Sequence, residues 1–173
     1  MRSLCREYQD LEEAVDGVHD LFAQWEEAPD EAPLDPMPLQ VLKLAVHEWV
    51  ANLAQHADFG GRRPLVRLTF RPNDAGVHCT IEDNSSGFDL ARQLQLQRSA
   101  LGAVAAGAAE PAERGRGLLI LAACTQELAY EPVRQDAPVA SSLTSNGTAD
   151  ASCLQRLAFQ VDAQPAPWLD IPF

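Results

Sequence analysis

A glutamate, an asparagine and a histidine stand at i, i+4 and i+8 in the run Leu42 to Ala57, as Glu48, Asn52 and His56. On a helix this spacing lines them along one ridge. A carboxylate, an amide and an imidazole in line can orient a water, a metal ion and a phosphate. A solvated ridge on an amphipathic helix is the plainer reading of this helix by itself. A second group begins at Asp83, in Ile81-Glu82-Asp83-Asn84-Ser85-Ser86-Gly87-Phe88-Asp89. An acid where a strand gives way to a tight loop can accept a charge-assisted hydrogen bond from an exocyclic amine. An ordinary acidic strand end would have the same composition. The third group is Glu113-Arg114-Gly115-Arg116-Gly117, followed by the apolar run from Leu118 to Leu121. Glycines before a helix let the backbone come close and leave N–H groups free at the helix N-terminus, a place for an anion. Arg114 and Arg116 add positive charge there. The run is neither a Walker A loop nor a complete dinucleotide fingerprint.

These residues need elements to hold them. Leu42, Val46, Trp49, Val50, Leu53 and Ala57 form a core-facing stripe on a helix expected from about Leu39 to Asp58, which Gly60-Gly61 ends. An earlier helix, Asp10 to Glu27, carries Leu11, Val15, Val18, Phe22 and Trp25 at helical spacing, and Ala28 to Pro38 reads as a proline-rich connector. Alternation predicts strands over Leu65–Arg71 and Val77–Glu82, joined by a turn at Pro72–Gly76. A helix is expected from Gly117, and further strands over Glu127–Val133 and Cys153–Val161. The polar segment Gln135–Ala151 reads as a mobile loop, and the proline-bearing tail from Ala163 as irregular. The fold class this order suggests is α+β, a two-layer sandwich with helices on one face of a largely antiparallel mixed sheet.

The 173 residues fit a single domain spanning 1–173. Acids outnumber bases 25 to 13, for a formal charge of −12, which argues against a nucleic-acid binder. No apolar run reaches the roughly 18–20 residues that span a bilayer, and the N-terminus turns polar at once, so no membrane partner and a cytoplasmic location are expected. Cys5, Cys79, Cys124 and Cys153 are scattered, so they read as small buried apolar residues rather than zinc ligands. His78 and Cys79 adjoin in a strand and face opposite ways.

In this order and spacing the three groups resemble the GHKL (Bergerat-fold) ATPase/kinase superfamily, and within it the small anti-sigma-factor serine/threonine kinases and their histidine-kinase-like relatives. The resemblance covers about Leu39 to Val133. Glu48 and Asn52 match the helix pattern E-x-x-x-N, Asp83 to Gly87 correspond to D-x-G-x-G, and Gly115-Arg116-Gly117 to the late G-x-G. It implies ATP and Mg2+ as cofactors, with Asn52 as the magnesium ligand and Glu48 as the catalytic base. It further implies that Asp83 binds the adenine amine, that Gly87 gives the base room, and that Asp89 to Arg114 form a flexible lid. Gly115 and Gly117 would present N–H groups to the phosphates beside Arg114 and Arg116. The implied partner is a regulatory protein, a sigma factor or an anti-sigma antagonist, and the implied assembly a homodimer. One departure is Ser85, which replaces the first glycine of D-x-G-x-G. If that position required positive φ, a serine would cost on the order of 1 kcal/mol and weaken nucleotide binding.

A second reading keeps the domain and removes the chemistry, leaving a non-catalytic or degenerate regulatory module that holds ATP, or only a protein partner, without phosphoryl transfer. A two-component histidine kinase is disfavoured: there is no separate helix with a phospho-acceptor histidine, and His19 reads as a surface residue.

Overall fold

A computed structural model describes residues 3–105, 116–134 and 153–164. Within them the order is β1 (Leu4–Tyr8), α1 (Leu11–Glu27), a 3-10 turn (Pro29–Glu31), α2 (Pro36–His56), β2 (Val66–Asn73), β3 (Gly76–Asp83), α3 (Leu90–Ala105), α4 (Gly117–Cys124), β4 (Gln126–Arg134) and β5 (Cys153–Asp162). The strands form one sheet in the order β1-β2-β3-β5-β4, and every pairing among the described residues is antiparallel. This is the α+β arrangement expected, with helices covering one face.

The local causes are mostly those anticipated. The carboxylate of Asp10 caps α1 by accepting from the N–H groups of Glu12 and Glu13 at 2.8 and 3.1 Å. Val18, Phe22 and Trp25 are buried as the period required, joined by Ala14 and Leu21. Gly17 lies against the ring of Tyr8, where a Cβ would come within 2.7 Å of Cζ, so a larger residue there would have to push the ring aside. α2 starts at Pro36, earlier than the connector reading of Ala28–Pro38 allowed. Proline is at home in a first helical turn, whose N–H groups have no intrahelical partner anyway. From α2, Leu42, Val46, Trp49, Val50 and Leu53 are buried, while Ala57 is half-buried. α2 packs against both α1 and α4. Trp25 meets Phe70 of β2 and Phe22 edge-on, with centroids 5.4 and 5.2 Å apart.

β1 was not anticipated. Its five residues alternate poorly because they form a charged edge strand, with only Tyr8 fully buried. Register across the sheet is marked by charge on the face away from the helices. Glu7, Arg67, Glu82 and Arg156 stand opposite one another on β1, β2, β3 and β5. They are linked by ion pairs of 2.9, 3.1 and 2.7 Å. Each of these pairs keeps at least one partner substantially open to solvent and adds little stability. A one-residue slip, however, would bury Glu82 and expel Asp83 from the core face, so the ladder and the apolar pattern agree on one register.

Two further readings change. The stretch after Asp89, for which no element was expected, is helical from Leu90 to Ala105, and the remainder of the stretch read as a lid lies outside the described residues. Asp89 accepts from the N–H of Arg92 at 2.9 Å, and Leu, Ala, Gln and Arg, all good helix formers, follow. Of the cysteines, Cys79 is buried, Cys5 is exposed, and Cys124 and Cys153 are half-buried. Cys5 departs from expectation because it lies on the outer face of the edge strand. His78 and Cys79 do face opposite ways, and His19 is exposed. The segment Gln135–Ala151 and the tail beyond 164 lie outside the described residues. No helix among them is long and apolar enough to cross a membrane.

Candidate functional site

The C-terminal half of α2, the loop after β3, and the facing sides of α3 and α4 enclose a cavity of about 460 Å³. That is within the range of small-molecule sites. α2 contributes Trp49, Asn52 and His56, and α4 contributes Gly117. The ridge foreseen on α2 therefore divides. Asn52 and His56 line the cavity, while Glu48, one turn earlier, lies against the start of α4.

Gly117 makes that junction. A Cβ on it would collide with the Glu48 carboxylate, reaching Oε2 first, with Cδ at 3.2 Å and Asn52 Nδ2 at 3.6 Å. The glycine is there for close approach, since its φ is not positive. It brings a carboxylate, an amide and a helix N-terminus together. Asn52 Nδ2 is buried and has no hydrogen-bond partner, so a donor is held ready for an acceptor at this point. Arg116 precedes α4 and is exposed, whereas Arg114 and Gly115 lie outside the described residues.

The loop from Asp83 is built by its own side chains. Asp83, the last residue of β3, is fully buried. Its Oδ1 accepts from the Ser85 N–H at 2.9 Å, and its Oδ2 has no partner. Burial pushes its carboxyl above the usual carboxylate range, partly offset by the bonds from Ser85. Asn84 ties the loop to the preceding segment, accepting from the Leu65 N–H at 2.8 Å and donating to the Arg63 carbonyl at 2.9 Å. The Ser86 N–H donates to the Asp58 carbonyl at 2.8 Å. Gly87 has φ +75°, a backbone conformation that favours glycine, and a Cβ on it would also have to push aside the Gln155 side-chain amide, 2.6 Å away at Cδ.

Ser85 resolves the departure from D-x-G-x-G. It does not have positive φ, so the backbone cost does not arise. Its Oγ accepts from the Gly87 N–H at 3.3 Å, and the residue is buried. A hydroxyl thus helps shape the turn.

Sequence reasoning missed two features of this site. The first is an aromatic cluster, in which Phe88 stacks on Trp49 at 5.6 Å and Tyr130 of β4 lies 5.2 and 5.1 Å from the two rings. The Tyr130 hydroxyl is pushed up by burial and by the charge of Asp83. Trp49 had been read as core alone, and nothing in its spacing marks it as a cavity wall. The second is the pair Gln93 and Gln97, which line the cavity from α3. Had Asp89 been recognised as a helix cap, their i, i+4 spacing would have placed them on one face.

Among the described residues no group of three or more His, Cys, Asp or Glu could hold a metal ion. Asn52 and Glu48 supply oxygen donors of the kind magnesium prefers, but too few for a site of their own. They fit an ion whose remaining ligands are phosphate oxygens and water.

The family model described as histidine kinase-like ATPase domain matches residues 10–137, which takes in α2, the loop after β3, α4 and β4. No curated protein matches the chain.

Proposed function

The chain belongs to the histidine kinase-like ATPase domain family, and from that premise we propose a regulatory serine/threonine protein kinase of the anti-sigma type. In this reading it transfers the γ-phosphoryl group of ATP to a partner regulator protein, a sigma factor or its antagonist, and works in the cytoplasm as a homodimer. The observation that supports it most is the close approach of Gly117, at the cavity wall, to the Glu48 carboxylate, with the Asn52 amide beside it.

Each residue then has a task. The Asn52 amide oxygen holds magnesium, which neutralises phosphate charge when bound; the chain's formal charge of −12 makes that help necessary. The start of α4, with Gly117 and the preceding Gly115, offers N–H groups to the phosphates, and Arg114 and Arg116 add cationic charge. Asp83 accepts from the adenine amine through its unpartnered Oδ2, and Gly87 leaves room for the base. Glu48 takes the proton from the attacking serine or threonine hydroxyl as the phosphoryl group leaves ATP, and ADP departs with the bridging oxygen.

The first test is calorimetric titration of ATP and ADP with magnesium into wild type and Asn52→Ala. Binding on the order of micromolar for wild type, weakened at least about tenfold in the variant, is expected. No heat with wild type would sink the nucleotide reading and leave a protein-binding module in its place.

Gly117→Ala separates positioning from binding. Alanine favours the helix, so the melting temperature should hold. The added methyl must displace the Glu48 carboxylate, the flexible end of a side chain. Misplacing a reacting group by about 1 Å can cost roughly 10²-fold in rate. Phosphoryl transfer should therefore fall far more than ATP affinity; equal losses in both would refute the positioning role.

A further inference from the structure

Besides the residues given tasks above, the cavity is lined by Gln93 and Gln97, one turn apart on α3. Gln97 Oε1 is buried and has no hydrogen-bond partner. A buried carbonyl oxygen left unpaired is unfavourable by about 1–3 kcal/mol unless a ligand supplies a donor. The kind of donor can be deduced. Ionised phosphate oxygens only accept. The amine of the base is matched to Asp83 Oδ2, a buried acceptor-only oxygen that likewise has no partner. The donors left on a nucleotide are the second N–H of that amine, on the nitrogen already matched to Asp83, and the hydroxyls of its sugar.

Position agrees with chemistry. α3 begins two residues after Phe88, at the loop that follows Asp83, and it packs against α4, whose first residue lies against Glu48 and near Asn52. It thus connects the end of the cavity assigned to the base with the end assigned to the phosphates. The sugar joins base to phosphates covalently and must lie between them. A glutamine amide both accepts and donates, as does a hydroxyl, so Gln97 and Gln93 together match a vicinal pair of hydroxyls.

We infer that Gln97, assisted by Gln93, forms a subsite for the ribose hydroxyls and makes the cavity selective for ribonucleotides over deoxyribonucleotides. The inference rests on the nucleotide reading above and adds to it the part of the ligand that α3 recognises.

The experiment is calorimetric titration of ATP, 2′-deoxy-ATP and 3′-deoxy-ATP with magnesium, into wild type, Gln97→Met and Gln93→Met. Wild type should bind at least one deoxy analogue about tenfold more weakly than ATP, since a buried acceptor loses its donor. In Gln97→Met, ATP affinity should drop toward that of the analogue, with the difference between them reduced to about twofold or less. Gln93→Met should narrow it partially. ATP binding by wild type with no preference among the three ligands overturns this inference and leaves the nucleotide reading intact. So does a preference that survives in both variants. Absence of ATP binding by wild type overturns the two together. The wild-type comparison needs no substitution, so it stands even where a variant fails to fold.

Discussion

Glu48→Ala should lower phosphoryl transfer by roughly 10²–10⁴-fold, the contribution of a positioned general base, while ATP affinity stays within a few fold. The two quantities separate because Glu48 stands one turn before the cavity-lining Asn52, against α4, and is not itself among the residues lining the cavity. Its loss removes proton acceptance but leaves Asn52 and Asp83 in place. Alanine also empties the space against Gly117, so Glu48→Gln is the companion variant. It keeps the shape of the side chain and removes its basicity. Both can be assayed as ADP formed from ATP by excess protein, with water standing in for the acceptor hydroxyl, and binding by calorimetry. Transfer at the wild-type rate in Glu48→Gln would remove Glu48 from the chemistry. Loss of ATP binding in both variants would make it a ligand contact instead.

Asp83→Asn should act in opposite directions on ligand and fold. The carboxylate is fully buried with one oxygen unpartnered, and burial raises its pKa above the ordinary 3.8. A carboxyl whose folded pKa is raised stabilises the fold fully below its unfolded pKa, and that contribution is lost as pH rises through the folded value. The ligand-free protein should therefore lose stability from this group as pH climbs above about 3.8. The asparagine variant lacks that component and should melt at or above the wild-type temperature at neutral pH. Its Oδ1 can still accept from the Ser85 N–H. ATP affinity should fall roughly 10- to 100-fold, because a charge-assisted bond to the amine is lost and the new amide can present a donor to a donor. Thermal melts across pH, with and without ATP, read both effects. An apo variant less stable than wild type at neutral pH, or one binding ATP as tightly, would contradict the role given to Asp83.

Much of the site was legible in the chain because periodicity and punctuation are local. Apolar spacing from Leu42 to Leu53 fixes which side of α2 faces the core, and that fixes where Asn52 and His56 emerge. Alternation over Val77–Glu82 and the run Asp83 to Gly87 place an acid at a strand end and a glycine where φ is positive. The order of the three groups suffices for the family. Folding decided what depends on elements distant in sequence. Gly117 touches Glu48 only because α4 packs on α2, and no spacing within either helix encodes that contact. Ser85 had to be seen in place to show that its backbone is ordinary and its hydroxyl holds Gly87. The polar edge strand β1 exists because β2 offers it a ladder to complete, and Gln93 and Gln97 reach the cavity because α3 is docked beside α4. Side-chain period is a property of a few consecutive residues. Which faces meet is set by strand register and by the packing of helices on the sheet, so only the tertiary structure turned three motifs into one cavity.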